Sequence, residues 1–124
     1  MPRILLIDDD DAFRVMLRIT LTLLEHEVQE ARNGNEALLM FDEAPYDVVM
    51  TDIIMPKKDG LELIGELRKK APGMRIIAMS GGGRVSGTDY LKMAKSLGAH
   101  GILNKPFSKS EVEDMLGRVA LLPV

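Results

Sequence analysis

The sequence predicts a doubly wound α/β domain: a five-stranded parallel sheet covered by five helices. Three observations carry this. Short apolar runs alternate with longer amphipathic ones along the 124 residues. The runs are unbroken, as in strands buried on both faces of a parallel sheet. Five β-α units in series imply right-handed crossovers. A chain of this length suits one core, so residues 1–124 are read as one domain.

The apolar strands are Ile4-Leu5-Leu6-Ile7, Val48-Val49-Met50, Ile76-Ile77-Ala78-Met79 and the short Ile102-Leu103. Glu27-Val28-Gln29-Glu30-Ala31 is more polar and reads as an edge strand, where charge discourages further pairing. Phe13, Met16, Leu17, Thr20, Leu21 and Leu24 fall at i, i+3, i+4, i+7, i+8 and i+11, one face of the first helix. Asn33 followed by Glu36 resembles a capping box for the second helix. Gly60–Lys70 and residues 86–97 supply the third and fourth. Val112, Met115, Leu116, Val119 and Ala120 mark the fifth, with Ser108 and Glu111 as its capping box. There is no internal repeat, low-complexity tract or linker.

Composition narrows the class. Hydrophobic residues at 46% and charged residues at 28% are a soluble globular balance. Aromatics are only 4%, so the core falls to Leu, Ile, Val, Ala and Met, with methionine as flexible filler. The absence of Cys excludes a disulfide framework, a thiolate metal site and a Cys nucleophile. No signal peptide is expected from the pattern at the start, and no apolar run is long enough to cross a bilayer. The expectation is a cytoplasmic protein with no membrane partner. A net charge of -3 argues against direct nucleic-acid binding.

Binding sites in such sheets lie past the carboxyl ends of the strands. There the sequence places Asp8, Asp9, Asp10 and Asp11, then Thr51-Asp52-Ile53-Ile54-Met55-Pro56, then Ser80-Gly81-Gly82-Gly83, then Asn104-Lys105-Pro106-Phe107. Carboxylates, a hydroxyl and an ammonium converge on one rim. Two carboxylates about 4 Å apart repel by roughly 4 kcal/mol at an effective dielectric near 20, so the cluster wants a cation. An all-oxygen set with room for waters suits Mg²⁺ better than Zn²⁺. A carboxylate can also attack phosphorus and form an aspartyl phosphate. Asp10 and Asp11 read as helix N-caps. Asp8 and Asp9 admit the same reading, Asp52 could be a turn residue, and Ser80 could merely satisfy backbone; the constellation favours chemistry. His26 and His100 have no second ligand at metal spacing and read as surface or satisfied residues.

In this order the residues resemble the receiver domain of two-component response regulators, in its single-domain, chemotaxis-regulator-like form. The carriers are the strand ending in Asp8-Asp9, the segment Asp52-Ile53-Ile54-Met55-Pro56-Lys57-Lys58-Asp59-Gly60, Ser80 and Lys105-Pro106-Phe107. The resemblance covers essentially the whole chain. It implies a flavodoxin-like strand order 2-1-3-4-5 and a cis bond before Pro106. It makes Asp52 the phosphoacceptor and Asp9 a direct Mg²⁺ ligand together with Asp52 and the Ile54 backbone carbonyl, with Asp8 helping through water. Ser80 and Lys105 would meet phosphoryl oxygens. The implied partners are a histidine kinase or phosphotransfer protein and a downstream protein target, neither of which the sequence names. A phosphorylation-dependent dimer stays open. Such a domain catalyses only its own phosphoryl transfer and slow dephosphorylation.

Two departures stand out. Ile102 occupies a position where the family often carries Tyr or Phe as a rotating reporter. Residues 80–105 also run longer than in minimal members, the excess falling in Gly81-Gly82-Gly83-Arg84-Val85-Ser86-Gly87. The signal is therefore expected to travel through ordering of that loop. Competing readings are a haloacid-dehalogenase-like aspartyl phosphatase, an FMN binder and a degenerate receiver used only for interaction. The first needs a carboxylate two positions after the nucleophile, where Ile54 stands. The second needs a phosphate cradle where four aspartates would repel it.

Overall fold

In the computed structural model the described residues are 2–55, 59–81 and 87–120. The elements follow one another as β1 (Arg3–Ile7), α1 (Asp11–Leu23), β2 (Glu27–Ala31), α2 (Gly34–Glu43), β3 (Val48–Asp52), α3 (Gly60–Lys70), β4 (Arg75–Gly81), α4 (Gly87–Ser96), β5 (Gly101–Lys105) and α5 (Lys109–Ala120). The strands pair in parallel in the order β2-β1-β3-β4-β5. The chain therefore runs outward in both directions from β1, and the crevice beyond β1 and β3 is the switch point where such sheets bind ligands.

The two-residue period of the strands divides the core into two layers. Leu5, Ile7, Val49, Ile76 and Ala78 pack with Leu63, Ile64 and Leu67 of α3 and with Ala37 and Ala94. Ile4, Leu6, Met50, Ile77 and Met79 pack on the opposite face with Leu17 and Leu21 of α1 and with Val112, Leu116 and Val119 of α5. β2 alternates exposed and half-buried positions from Glu27 to Glu30, as an edge strand should, and ends on the buried Ala31.

The expected stripe of α1 is turned. Leu17 and Leu21 are buried, but Met16 is 56% exposed and Arg14 is buried. The inward line thus runs 14, 17, 21, because Arg14 finds polar partners at the helix start. Met16 and Met93 are surface residues rather than core filler, whereas Met50, Met55, Met79 and Met115 are buried. In α5, Ala120 is exposed while the other four residues of its expected face are buried.

Caps also sort themselves. Asp10 accepts from the Phe13 N–H at 3.1 Å, so it caps α1. Asp11 is instead the first helical residue and pairs with Arg14 at 2.7 Å. Asn33 accepts from the Glu36 N–H, but Glu36 returns its carboxylate to Arg32 rather than to Asn33. Ser108 and Glu111 close a reciprocal box at 3.1 Å each way. His100 is satisfied, its Nδ1 accepting from the Ile76 N–H at 3.3 Å. Pro56, Lys57, Lys58 and the loop stretch Gly82-Gly83-Arg84-Val85-Ser86 lie outside the described residues, so α4 is described from Gly87 onward. Among the described residues no helix is long and apolar enough to cross a membrane.

Candidate functional site

Asp8 follows β1 directly and is fully buried. Its N–H donates to the Ala31 carbonyl at 3.2 Å, which extends the β1–β2 ladder by one bond. Its carboxylate is doubly engaged. Oδ1 accepts from the Asp10 N–H at 2.9 Å, and Oδ2 accepts from Lys105 Nζ at 2.6 Å. Asp9, next in the chain, is exposed.

Asp52 is the last residue of β3 rather than the first of the following loop. Its register partner is Met79, so by strand parity its side chain faces the α1 and α5 side of the sheet. Oδ1 accepts from the Ile53 N–H at 3.0 Å, and Oδ2 stands 3.5 Å from Lys105 Nζ. Thr51, fully buried, donates its hydroxyl to the Asp52 carbonyl at 2.9 Å. Gly60, the first residue of α3, donates to the Ile53 carbonyl at 2.6 Å. A Cβ there would collide with the Asp52 carbonyl oxygen and the Ile53 Cα, so only glycine lets α3 start this close. The Ile54 side chain is 53% exposed.

Lys105 ends β5, and its bond to Pro106 is cis, as the resemblance implied. Ser80 sits near the end of β4, 1% exposed, and donates to the Gly81 carbonyl at 3.4 Å. Asp8, Asp9, Asp52 and Lys105 are thus brought together, while Ser80 is buried nearby in the sheet end and engaged with its own backbone.

Burial is the largest influence on Asp52 and pushes its carboxyl up to about 6; Asp8 and Asp9 push the same way, while Lys105 and the Ile53 N–H oppose them. Carboxylate oxygens of Asp8, Asp9 and Asp52 lie within 4.8 Å of one another. Such an all-oxygen set, with one exposed member leaving room for waters, fits a hard divalent cation.

Two residues of the site were not read from the sequence. Arg14 is 7% exposed, and its Nη1 donates to the Asp8 carbonyl at 2.8 Å while Nε meets Glu30 at 3.0 Å. Phe13 lies beneath Lys105, with Nζ 4.0 Å from its ring centroid. The signal for both is their place beside the aspartates; Arg14 falls outside the apolar stripe of α1 and so gives no sign of its burial.

Residues 4–117 match the response regulator receiver domain family. Chemotaxis protein CheY of Halobacterium salinarum is 38% identical over 120 residues, spanning 94% of this chain and 95% of that protein. CheY of Thermotoga maritima is 35% identical over 119 residues, spanning 95% and 97%. Among solved structures, the response regulator TrrA of Thermotoga maritima, in complex with Mg²⁺ and BeF, superposes with a TM-score of 0.84 at 33% identity, covering 96% of this chain and 99% of that one. These matches favour a receiver over the haloacid-dehalogenase alternative, in agreement with the missing carboxylate at Ile54. The strand order, the acidic rim and the family match agree, and the chain belongs to the receiver domains of two-component response regulators, acting as a phosphoacceptor in signalling rather than as a member of a classical enzyme family.

Proposed function

We propose that Asp52 is the phosphoacceptor, within a single receiver domain spanning residues 1–124. The observation that carries this is the juxtaposition of its buried carboxylate with Asp8 and Asp9 within 4.8 Å and with the Lys105 ammonium at 3.5 Å. Asp9 and Asp52, with the Ile54 carbonyl, would hold Mg²⁺ directly. Asp8, whose two oxygens already accept from Asp10 and Lys105, would act through water. When bound, the ion would neutralise charge on the oxygens of Asp52 and of the incoming phosphoryl group. The similar TrrA, solved with Mg²⁺ and BeF, supports that choice of ion.

In the transfer, an Asp52 oxygen forms a bond to phosphorus as the bond to the donor breaks. With a phosphohistidine donor, the imidazole leaves with the electron pair. Lys105 turns from Asp8 toward a phosphoryl oxygen. Ser80 exchanges its long 3.4 Å bond to Gly81 for another phosphoryl oxygen. The donor is a histidine kinase or phosphotransfer protein, and the added charge changes the surface offered to a downstream target. Water then attacks phosphorus slowly as the Asp52 oxygen–phosphorus bond breaks, releasing inorganic phosphate and restoring the carboxylate. The domain works in the cytoplasm.

Acetyl phosphate and intact-mass measurement test this reading. We expect a gain of one phosphoryl group that needs Mg²⁺ and vanishes in Asp52→Asn; labelling that survives the substitution would overturn it.

A further inference from the structure

We propose that Phe13 is a positioning residue for Lys105, its ring face holding the ammonium at the gap between Asp8 and Asp52. The inference rests on the role assigned to Lys105 above. Nζ lies 4.0 Å from the Phe13 centroid, 2.6 Å from Asp8 Oδ2 and 3.5 Å from Asp52 Oδ2. Two sides of the ammonium thus meet carboxylates, and a third meets the negative face of an aromatic ring.

The ring is itself held. Phe107, in the segment after Lys105, meets it edge-on at 5.6 Å and 83°. Both rings pack against the cluster formed with α1 and α5. The Phe13 N–H donates to the Asp10 carboxylate at 3.1 Å, so the helix carrying the ring is tied to the acidic segment.

The chemistry gives the contact its purpose. A lysine stem has many rotamers and needs a support when its charge must be aimed. A further carboxylate would supply one, but it would compete with the phosphoryl group for the ammonium and add to the acidic crowding. An aromatic face attracts the cation without titrating or ligating metal. Lys105 can therefore exchange Asp8 for a phosphoryl oxygen while staying on the ring.

Phe13→Leu and Phe13→Met keep apolar bulk without the ring face, and Phe13→Tyr keeps the face. In the metal-free protein, NMR should show the Lys105 ε-methylene protons shifted upfield by the ring, with the shift lost in Leu and Met and kept in Tyr. Acetyl phosphate with Mg²⁺ should label the Leu and Met variants more slowly by about 3- to 30-fold. Mg²⁺ affinity should be unchanged, and Tyr should restore the rate. In a Lys105→Gln background, Phe13→Leu should add no further loss. Phe13→Tyr as slow as Phe13→Leu, or an undiminished effect in the Lys105→Gln background, would reduce Phe13 to packing and overturn the proposal. Labelling of Lys105→Gln at the parental rate would instead overturn the role of Lys105, and the proposal with it.

Discussion

Arg14 donates from Nη1 to the backbone carbonyl of Asp8 at 2.8 Å, from a position only 7% exposed. The same guanidinium reaches Asp11 at 2.7 Å and Glu30 at 3.0 Å. It therefore joins the end of β1, the start of α1 and the edge strand β2 at the turn that carries Asp9. Planar fork geometry is what lets one side chain serve three directions.

Arg14→Leu should destabilise the protein by about 1–3 kcal/mol, because it leaves the buried Asp8 carbonyl without its donor and takes from Glu30 one of two arginines, the other being Arg18 at 2.9 Å. Arg14→Lys should recover only part of this, since one ammonium cannot span the three acceptors. Urea unfolding of the three proteins gives the comparison. A lysine variant as stable as the parent would mean that charge alone, not the fork, organises the turn.

Asp52 gives a pH dependence of definite sign. Its carboxyl is pushed up to about 6, chiefly by burial. Between an ordinary aspartate value of about 4 and that value, the folded metal-free protein binds more protons than the unfolded chain. Stability should therefore fall as pH rises through this window. Asp52→Asn removes the charge and should be more stable than the parent by about 1–3 kcal/mol at neutral pH, with the gap closing near pH 4. Urea titrations in a chelator at the two pH values decide it; a gap that does not change with pH would contradict this.

Much of this was readable beforehand, for identifiable reasons. Ile4 to Ile7 form an unbroken apolar run because β1 is covered on both faces, and the aspartates begin where the strand ends. Acids at such a boundary are legible without coordinates. Arg14 was not, since an arginine on a helix ordinarily faces water, and its burial depends on Glu30 in another element. Phe13 was legible as apolar, but its contact with Lys105 depends on how β5 and α1 meet across the sheet end. Ser80 lies at the end of β4, where the sequence order puts it, while its hydroxyl bond to Gly81 is invisible to spacing.

Gly60→Ala tests how tightly α3 must start against the site. The added methyl would meet the Asp52 carbonyl and the Ile53 Cα, which are backbone and cannot swing aside. We expect a loss of about 1–3 kcal/mol from overpacking, together with slower labelling of Asp52 by acetyl phosphate. Gly65→Ala is the matched control, because nothing lies within 4 Å of its Cβ position. Mid-helix alanine there should stabilise by about 0.5–1 kcal/mol. Equal melting shifts in the two variants would show that the close approach at Gly60 carries no cost.

Asp9 separates metal binding from folding. It is exposed, follows the fully engaged Asp8, and makes no hydrogen bond of its own among those described. Its oxygen nevertheless lies within 4.8 Å of those of Asp8 and Asp52, and it helps raise the Asp52 carboxyl. Replacing it by alanine removes one of three crowded charges and, among the described residues, no hydrogen bond. The metal-free Asp9→Ala protein should thus melt at or above the parental temperature. Mg²⁺ binding should be lost, because the two remaining acids are buried and both face Lys105, at 2.6 Å from Asp8 and 3.5 Å from Asp52. Arg14→Leu makes the useful contrast, since it should lower both stability and Mg²⁺ affinity. Titration calorimetry with Mg²⁺ and thermal melting in a chelator separate the cases. Clear destabilisation of Asp9→Ala without metal would make Asp9 a structural residue of the β1–α1 turn and not a ligand.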